Sequence, residues 1–457
     1  MSEDARPVVI LGAGLTGLSL AVALKRAGRP VRVLETSLRP GGVIRSMRRE
    51  GFLVEESANS MMIKAPEVER FIRDSGLEKA LVDANPVARK RFLMRNGNVL
   101  PMPMSVTDGI RTPLYTPGAK LRLLKEPFVP APPADRDESV ASFVTRRMGR
   151  EFLDYGIAAL VSGIFAGDPE RLSMRHAFPK VWNLEARYGS LIGGAVKLMR
   201  ERKREGIAPY KSRIVSFRDG LQTLTDTLAE ELGDRLVLGS ECRSISPAEG
   251  GWRISYTDAD GAREVTGSRL VATVPLAALV ALPWPEDIAG TVAGIPLPYH
   301  PAVTTLSLGY RKSQVSHAVD GFGLLAPLVE GRSILGAIFS STLFPGRAPR
   351  GHVLFMVFMG GATRPELARD DPGEAVEIAE GELADMFGIT GEPVFHHHTY
   401  WPRAIPQYNL GHGDFLAALE SVESRWPGLH IAGNFRGGPG CGDCIASALA
   451  LAQKLRA

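Results

Sequence analysis

The chain has 457 residues, 44% of them hydrophobic and 23% charged, with a formal net charge of +4. This is an ordinary globular composition, which excludes the disordered and fibrous classes, and the length corresponds to roughly three domain-sized units. Three cysteines, Cys242, Cys441 and Cys444, are too few for a disulfide framework. No run reaches the roughly 18 uninterrupted apolar residues of a membrane span, and no signal-peptide pattern opens the chain, so the expected setting is cytoplasmic with any membrane contact peripheral.

The apolar run Val8 to Leu11 feeds into Gly12-Ala13-Gly14-Leu15-Thr16-Gly17, and the residues beyond keep helical spacing (Leu18, Val22, Leu24) up to Gly28. A strand, a glycine turn and a helix are predicted. Gly12 permits the tight turn, Gly14 lets backbone approach a pyrophosphate, and Gly17 lets helix and strand pack closely, leaving the helix N-terminal N–H groups aimed at phosphate. Val31 to Leu34 supplies a second strand, and Glu35 at its end falls where a carboxylate accepts hydrogen bonds from a ribose diol. A lone glycine turn often binds nothing; with strand, helix and acid in register, dinucleotide binding is expected. The continuation Arg39-Pro40-Gly41-Gly42-Val43-Ile44-Arg45-Ser46 places a second side-chain-free stretch near the first. It resembles the glycine-pair signature of FAD enzymes of the amine oxidase type, which makes FAD, rather than NAD alone, the expected cofactor.

Gly51 to Glu55 reads as a further strand, and the turn Glu56-Ser57-Ala58-Asn59-Ser60 either lies along a flavin and offers it backbone groups or is a plain loop. Glu67 to Ser75 is predicted as a short amphipathic helix ended by Gly76. Lys90 to Pro101 scans as two strands around the turn Asn96-Gly97, with Arg91 at the head of the first. From Pro101 to Pro133 frequent prolines limit the chain to short helices. Arg89, Lys90, Arg91, Arg95, Arg111, Lys120, Arg122 and Lys125 are opposed only by Asp108 and Glu126 over the same span, and Lys197 to Arg213 is again basic. Solvated helix faces, a polycarboxylate substrate or an anionic membrane surface would each account for this charge. Nucleic acid is not expected, since neither an RRM-like aromatic motif nor a zinc-finger spacing accompanies it.

Helical spacing returns from Asp137 to about Met148 and from Phe152 to Ile164, and an apolar helical region (Trp182, Leu184, Leu191, Ile192, Val196) stops in the charged run Arg200 to Glu205. Strands resume at Arg235 to Leu238, Trp252 to Thr257 and Leu270 to Val274, as a cofactor domain assembled from distant parts of the chain requires. Ala302 to Gly309, Gly321 to Leu328, Ser333 to Ser340 and Val353 to Gly360 read as a mostly antiparallel sheet, a separate substrate layer with Phe322, Leu324, Ile338 and Phe358 on one face. Three consecutive histidines, His396, His397 and His398, cannot converge on one ion from a strand, because neighbours point to opposite faces. No metal is expected. Cys441-Gly442-Asp443-Cys444 opens a C-terminal helix behind Ala432 to Gly438, and is read as backbone beside the flavin rather than a redox dithiol.

Taken together, these residues resemble one family over nearly the whole chain, the protoporphyrinogen IX oxidases. The most specific pieces are Glu138 to Val144, Ser162-Gly163-Ile164-Phe165-Ala166-Gly167-Asp168-Pro169 with Leu172-Ser173-Met174, Phe178 to Trp182, Gly321 to Leu325, Phe339 to Pro349, and Ala404-Ile405-Pro406-Gln407-Tyr408 with Gly411-His412. The resemblance implies an α/β fold in three parts. A discontinuous Rossmann-type FAD-binding domain of the amine oxidase type takes residues 1–75, 208–280 and 425–457; a mixed-sheet substrate domain takes 76–98 and 281–424; a helical, membrane-contacting domain takes 99–207. It implies that Arg91 pairs with a porphyrinogen propionate, that Phe322, Leu325, Ile338 and Phe358 sandwich the macrocycle, and that Gly163 or Gly167 lies over the ring. For the flavin it implies a cradle of Gly12, Ala13, Gly14, Leu15, Thr16, Gly17, Glu35, Thr36, Gly42, Val43, Arg45, Ser57, Ala58, Asn59, Ser60, Cys242, Pro439, Gly440 and Cys441. Two positions depart from the family pattern: Cys242 replaces a usual Val beside the adenine, and Ser57 a common Gly.

The reaction so implied is a six-electron oxidation of protoporphyrinogen IX by hydride transfer to FAD, reoxidised by oxygen, with no side chain as acid or base. Peripheral contact with the inner face of the cell membrane, a homodimer and hand-off to a ferrochelatase are the partner expectations that accompany it. Rival readings are oxidation of coproporphyrinogen III to coproporphyrin III, which has two more propionates to hold, an amine or polyamine oxidase, a carotenoid desaturase, and a flavin- and porphyrin-binding protein without turnover. Arg91 favours the protoporphyrinogen branch, and the Gly437-Gly438-Pro439-Gly440 region lacks the aromatic pair that amine oxidation requires.

Overall fold

A computed structural model of the chain describes residues 6–133, 136–206, 208 and 210–456; the expected segment ends at 1–5, 207 and 457 lie outside the described residues. Val8–Leu11 and Val31–Leu34 pair in parallel, and Leu236–Val237, Arg269–Ala272 and Leu429–Ile431 complete a five-stranded parallel sheet with Val8–Leu11 at its centre. All four residues of Val8–Leu11 are buried, as a strand covered on both faces must be. On one face lie the helices Leu15–Arg26, Gln222–Leu232 and Cys441–Lys454, packed through Leu18, Val22, Leu224, Leu228, Ile445 and Ala448. The antiparallel strands Glu241–Ala248, Gly251–Asp258 and Gly261–Gly267 cover the other.

Two helices from the middle and late chain, Glu286–Ala293 and His412–Arg425, share that second core through Ile288, Val292, Phe415, Leu419 and Val422. Residues 281–424 therefore do not all follow the substrate sheet. Helical periodicity shows that a face is buried; it does not say which sheet buries it.

The second large sheet has seven strands, in the spatial order Phe395–Trp401, Val303–Arg311, His352–Gly360, Gly336–Phe339, Gly323–Leu325, Phe92–Arg95 and Asn98–Pro101. Neighbours are antiparallel except Gly323–Leu325 beside Phe92–Arg95, so the sheet is mixed. Its register separates two faces. Leu324, Ala337 and Val357 are opposite one another and buried against the helix Pro372–Phe387. Leu325, Gly336 and Phe358 occupy the other face, as do Gly323, Ile338 and Met356. Leu324 thus points away from Ile338 and Phe358, which corrects the expected grouping: Phe322 precedes its strand, so counting by twos from it misplaces Leu324. In Phe395–Trp401 the histidines diverge, His397 Nε2 lying 3.2 Å from Glu56 and His398 Nε2 2.8 Å from the Arg369 carbonyl. Among the described residues no cluster of side chains suits a metal ion.

A helical unit sits beside this sheet. It contains Val140–Arg147, a widened π turn at Leu153–Ile157, and the helices Ala158–Phe165, Pro179–Tyr188 and Leu191–Arg204, around a core of Val140, Phe143, Val161 and Trp182. Ser139 caps the first helix by accepting from the Ser142 N–H at 3.1 Å. The fully buried Arg147 bridges Glu126 at 3.1 Å and Glu185, while Arg146 joins Glu185 and Glu138 at 2.7 Å each. Glu126 also accepts from the Leu191 and Ile192 N–H groups at 2.7 and 3.1 Å, at the start of the last helix. Each buried charge has a partner, the condition under which such charges are tolerated, and together they tie the proline-rich segment to the helices.

Candidate active site

The glycine turn shows why its residue types are needed. Gly12 has φ +99°, and a Cβ at Gly17 would run into the Gly12 carbonyl and the Thr273 hydroxyl. Thr273 Oγ1 lies 2.9 Å from the carbonyl oxygens of both Leu11 and Gly12. Gly14, by contrast, borders open space: a Cβ there would meet nothing within 4 Å. The second glycine pair lies against it as expected. Gly41 N–H donates to the Ala13 carbonyl at 2.8 Å, and the Cβ position of Gly42 lies 3.4 Å from Gly14 Cα. Glu35 accepts from the Ala13 and Ser37 N–H groups at 2.7 and 2.8 Å, one on each carboxylate oxygen, with lone pairs left for a diol.

The other expected cradle residues gather at these elements. Leu15 and Thr16 begin the first helix. Thr36 follows Glu35, and the Ser240 N–H donates to the Glu35 carbonyl at 2.8 Å, which brings the nearby Cys242 to the same strand end. Arg45 reaches Glu56 at 3.5 Å, and Ser57 Oγ donates to the Val43 carbonyl at 2.8 Å, so the turn carrying Ala58 and Ser60 runs beside the glycine pair. Asn59 is buried; its Nδ2 donates to Ser340 Oγ at 2.9 Å, and its Oδ1 has no protein partner. Pro439 and Gly440 lead into the helix Cys441–Lys454. A backbone cradle open at Gly14 and a buried unpaired acceptor at Asn59 fit a dinucleotide whose flavin runs on past its pyrophosphate. Burial pushes the Cys441 thiol up to about 12 and Cys444 to about 11. Both remain protonated, which argues against a reactive dithiol, since the thiolate is the attacking form.

Sequence reasoning missed the clamp on the loop before that helix. Tyr408 Oη donates to the Asn434 carbonyl at 2.7 Å and accepts from the Gly438 N–H at 3.0 Å. His412 stacks on Tyr408 with ring centroids 4.2 Å apart, and burial lowers its pKa to about 4. Gln407 Nε2 donates to the Phe165 carbonyl at 2.7 Å. The segment that looked only like a family signature therefore fastens the helical unit to the C-terminal loop.

The expected substrate residues do come together. Phe322, Leu325, Ile338 and Phe358 keep partial exposure while their strand neighbours Leu324, Ala337, Val357 and Phe339 are buried. Gly163 faces Leu325 so closely that a Cβ would collide with it; Gly167 is buried, and a Cβ there would lie 2.7 Å from Gln407 Oε1. Gly163, rather than Gly167, thus borders the open face. Arg91 lies over the Phe322 ring, 5.3 Å from its centroid, and lines a cavity of about 1030 Å³.

A dinucleotide cradle joined to an apolar sheet face defines a flavin-dependent oxidoreductase. Comparison with known proteins agrees: the description "Flavin containing amine oxidoreductase" matches residues 15–456. The chain belongs to that family, and its cofactor is FAD. It is 35% identical to protoporphyrinogen oxidase 1, chloroplastic, of Arabidopsis thaliana, over 96% of this chain and 86% of the relative. It is 26% identical to a coproporphyrinogen III oxidase of Bacillus subtilis over 97% of both chains. A crystal structure provisionally named protoporphyrinogen oxidase, from Exiguobacterium sp. 255-15, has the same fold, with a TM-score of 0.81 over 99% of each chain at 24% identity.

The two glycines separate packing from cofactor contact. Gly14→Ala has room in the protein and a φ of −69° that alanine accepts, so the apoprotein should melt within about 1 kcal/mol of wild type yet purify with little FAD. Gly17→Ala should lose both stability and flavin. Thermal melting alongside visible absorbance checks this, and full flavin occupancy in Gly14→Ala would contradict the placement.

Proposed function

We propose that the enzyme oxidises protoporphyrinogen IX to protoporphyrin IX, and that Arg91 with the face of Phe322, Leu325, Ile338 and Phe358 holds the substrate. The observation that carries this is the setting of Arg91: a guanidinium stacked on Phe322, with no carboxylate partner among the described residues, at the edge of an otherwise apolar face. A flat tetrapyrrole with carboxylate tails needs that pairing of apolar slot and cation. FAD, when bound, supplies the hydride acceptor, and oxygen is the proposed final acceptor. The chain's contribution is to position and desolvate. The sheet face, with Gly163 packed against its Leu325, excludes water from the macrocycle, and Arg91 fixes one propionate and so sets which methylene bridge reaches the cofactor. Phe322, Gly323, Leu325, Gly336, Ile338, Met356 and Phe358 include no acid or base, and the histidine two strands along the same face, His397, is paired with Glu56 at 3.2 Å, so in this proposal the bridge protons pass to solvent or to the substrate's own nitrogens.

Among the described residues no helix is long and apolar enough to cross a membrane. Val106, Ile110, Leu121, Leu124 and Phe128 are nevertheless exposed, Val106 and Phe128 by more than four-fifths (83% and 84%). Arg111, Lys120 and Lys125 share the same short helices and turns. Apolar side chains interspersed with cations suit shallow contact with an anionic bilayer, and Met104 and Arg111 also line the cavity. An apolar substrate would then enter from the lipid surface. Leu124→Asp with Phe128→Asp should reduce co-sedimentation with anionic vesicles and leave turnover in detergent unchanged; equal sedimentation would remove this contact.

Purified holoenzyme given protoporphyrinogen IX under air should gain porphyrin fluorescence. Arg91→Ala should raise KM by about tenfold or more, the worth of one charge-assisted hydrogen bond, with a smaller change in kcat. An unaltered KM would take Arg91 out of the site, and oxidation of an amine with no porphyrinogen turnover would overturn the function.

A further inference from the structure

One turn beside the substrate face is held in a conformation that its residue type resists. Val319 is buried and has φ +51°, in the left-handed region that a β-branched side chain rarely enters. Such a residue persists only where its surroundings fix it. Two side chains do so here. The Val319 N–H donates to His317 Nδ1 at 3.0 Å, and its carbonyl accepts from Thr342 Oγ1 at 2.7 Å, from the helix Ser340–Leu343. A backbone N–H can only donate, so the His317 ring is neutral, with its proton on Nε2. The ring is walled by Phe92, Phe387 and Phe339, at centroid distances of 5.1, 5.3 and 5.8 Å. That burial lowers its pKa, against the pull of Asp320 and with the push of Lys90.

The turn leads straight to Phe322. Asp320 pairs with Lys90 at 2.5 Å, the Phe322 N–H donates to the Lys90 carbonyl at 2.8 Å, and the Phe322 carbonyl accepts from the Phe339 N–H at 2.9 Å. Lys90 is the neighbour of Arg91, whose guanidinium lies over the Phe322 ring. Gly321 leaves no slack between the two segments, because a Cβ there would lie 2.7 Å from the Phe92 ring and 2.9 Å from the Lys90 carbonyl. Resting on the reading that Arg91 holds a propionate, we infer that His317 and Thr342 are positioning residues for that arginine. By fixing Val319 in its left-handed turn they set Phe322 beneath the guanidinium and Asp320 against Lys90. Both act through Arg91 rather than on the substrate. An arginine side chain has several rotatable bonds, and a platform that already limits them reduces the freedom lost when a carboxylate binds.

The test measures KM and kcat for protoporphyrinogen IX in the holoenzyme, comparing wild type with His317→Leu, His317→Asn, Thr342→Val, Arg91→Ala and the combined His317→Leu/Arg91→Ala, with flavin content and thermal melting followed alongside. Leucine suits the aromatic pocket but accepts no hydrogen bond, valine keeps the shape of threonine without its donor, and asparagine offers an acceptor in place of Nδ1. His317→Leu and Thr342→Val should each raise KM by roughly threefold to tenfold, the worth of one hydrogen bond, with kcat and flavin content unchanged. Thr342→Val carries the test alone if His317→Leu does not fold. His317→Asn should keep KM near wild type, and on top of Arg91→Ala the His317→Leu change should raise KM no further, since residues that act as a unit are not additive. Unchanged KM in the single variants, a full further rise on top of Arg91→Ala, or kcat and flavin content falling in step with KM would overturn the positioning role while Arg91 keeps its place. Wild-type KM in Arg91→Ala would instead overturn the reading on which the role rests.

Discussion

The close approach of backbone to backbone at the two glycine stretches is the constraint on which the rest depends. Gly17 lies against Gly12, and Gly42 against Gly14, with Thr273 completing the turn. A side chain at Gly17 has nowhere to go, whereas Gly14 opens outward. The difference separates a glycine required by packing from one that leaves room for a phosphate. Once that turn is fixed, the parallel sheet and its helices determine where a dinucleotide begins and in which direction it runs.

Direction matters because the flavin end must meet the seven-stranded sheet. Two side chains reach between them: Asn59 contacts Ser340 and the Met356 sulfur, and Arg347, from the loop after the helix Ser340–Leu343, forms a buried pair with Glu55 at 3.2 Å. Tyr408 in turn ties the C-terminal loop to the helical unit, at the segment that also holds Phe165 and Ser173. Glu55 also accepts from the Leu221 N–H at 3.0 Å, and burial pushes it up to about 7 against the opposing pull of Arg347. Further polar ties cross the same interface at Glu56, whose carbonyl accepts from Thr305 Oγ1 at 2.8 Å and from Trp401 Nε1 at 3.0 Å. A buried pair of this kind is unforgiving of separation, since either partner alone is costly, and it fixes the two-stranded hairpin of Phe52–Glu55 to the loop that carries Arg347.

The sequence carried the cradle more clearly than the clamp. Gly12 to Gly17, Glu35 and the Gly41-Gly42 pair could be read because each is local and each glycine answers a backbone requirement. The strands could be read for the same reason, by alternation and turn residues. Leu324 was misplaced because alternation holds only within a strand, and Phe322 lies before one. The helices Glu286–Ala293 and His412–Arg425 were legible as helices but not as partners of the parallel sheet. Tyr408 to Gly438 and Glu55 to Arg347 join residues far apart in the chain, and no spacing rule encodes such pairs. Arg89 and Arg111 stood out as charge, Lys211 within a basic stretch; that they share a cavity is a property of the fold alone.

The central claim is that the apolar face beside Arg91 presents a porphyrinogen to the cofactor. Its most direct test is a single turnover without oxygen, in which FAD-loaded protein is mixed with protoporphyrinogen IX and the visible flavin absorbance is followed. The account predicts rapid bleaching that slows in Arg91→Ala at subsaturating substrate and recovers when substrate is raised. Flavin that keeps its colour with every porphyrinogen, yet bleaches with an amine, would contradict it.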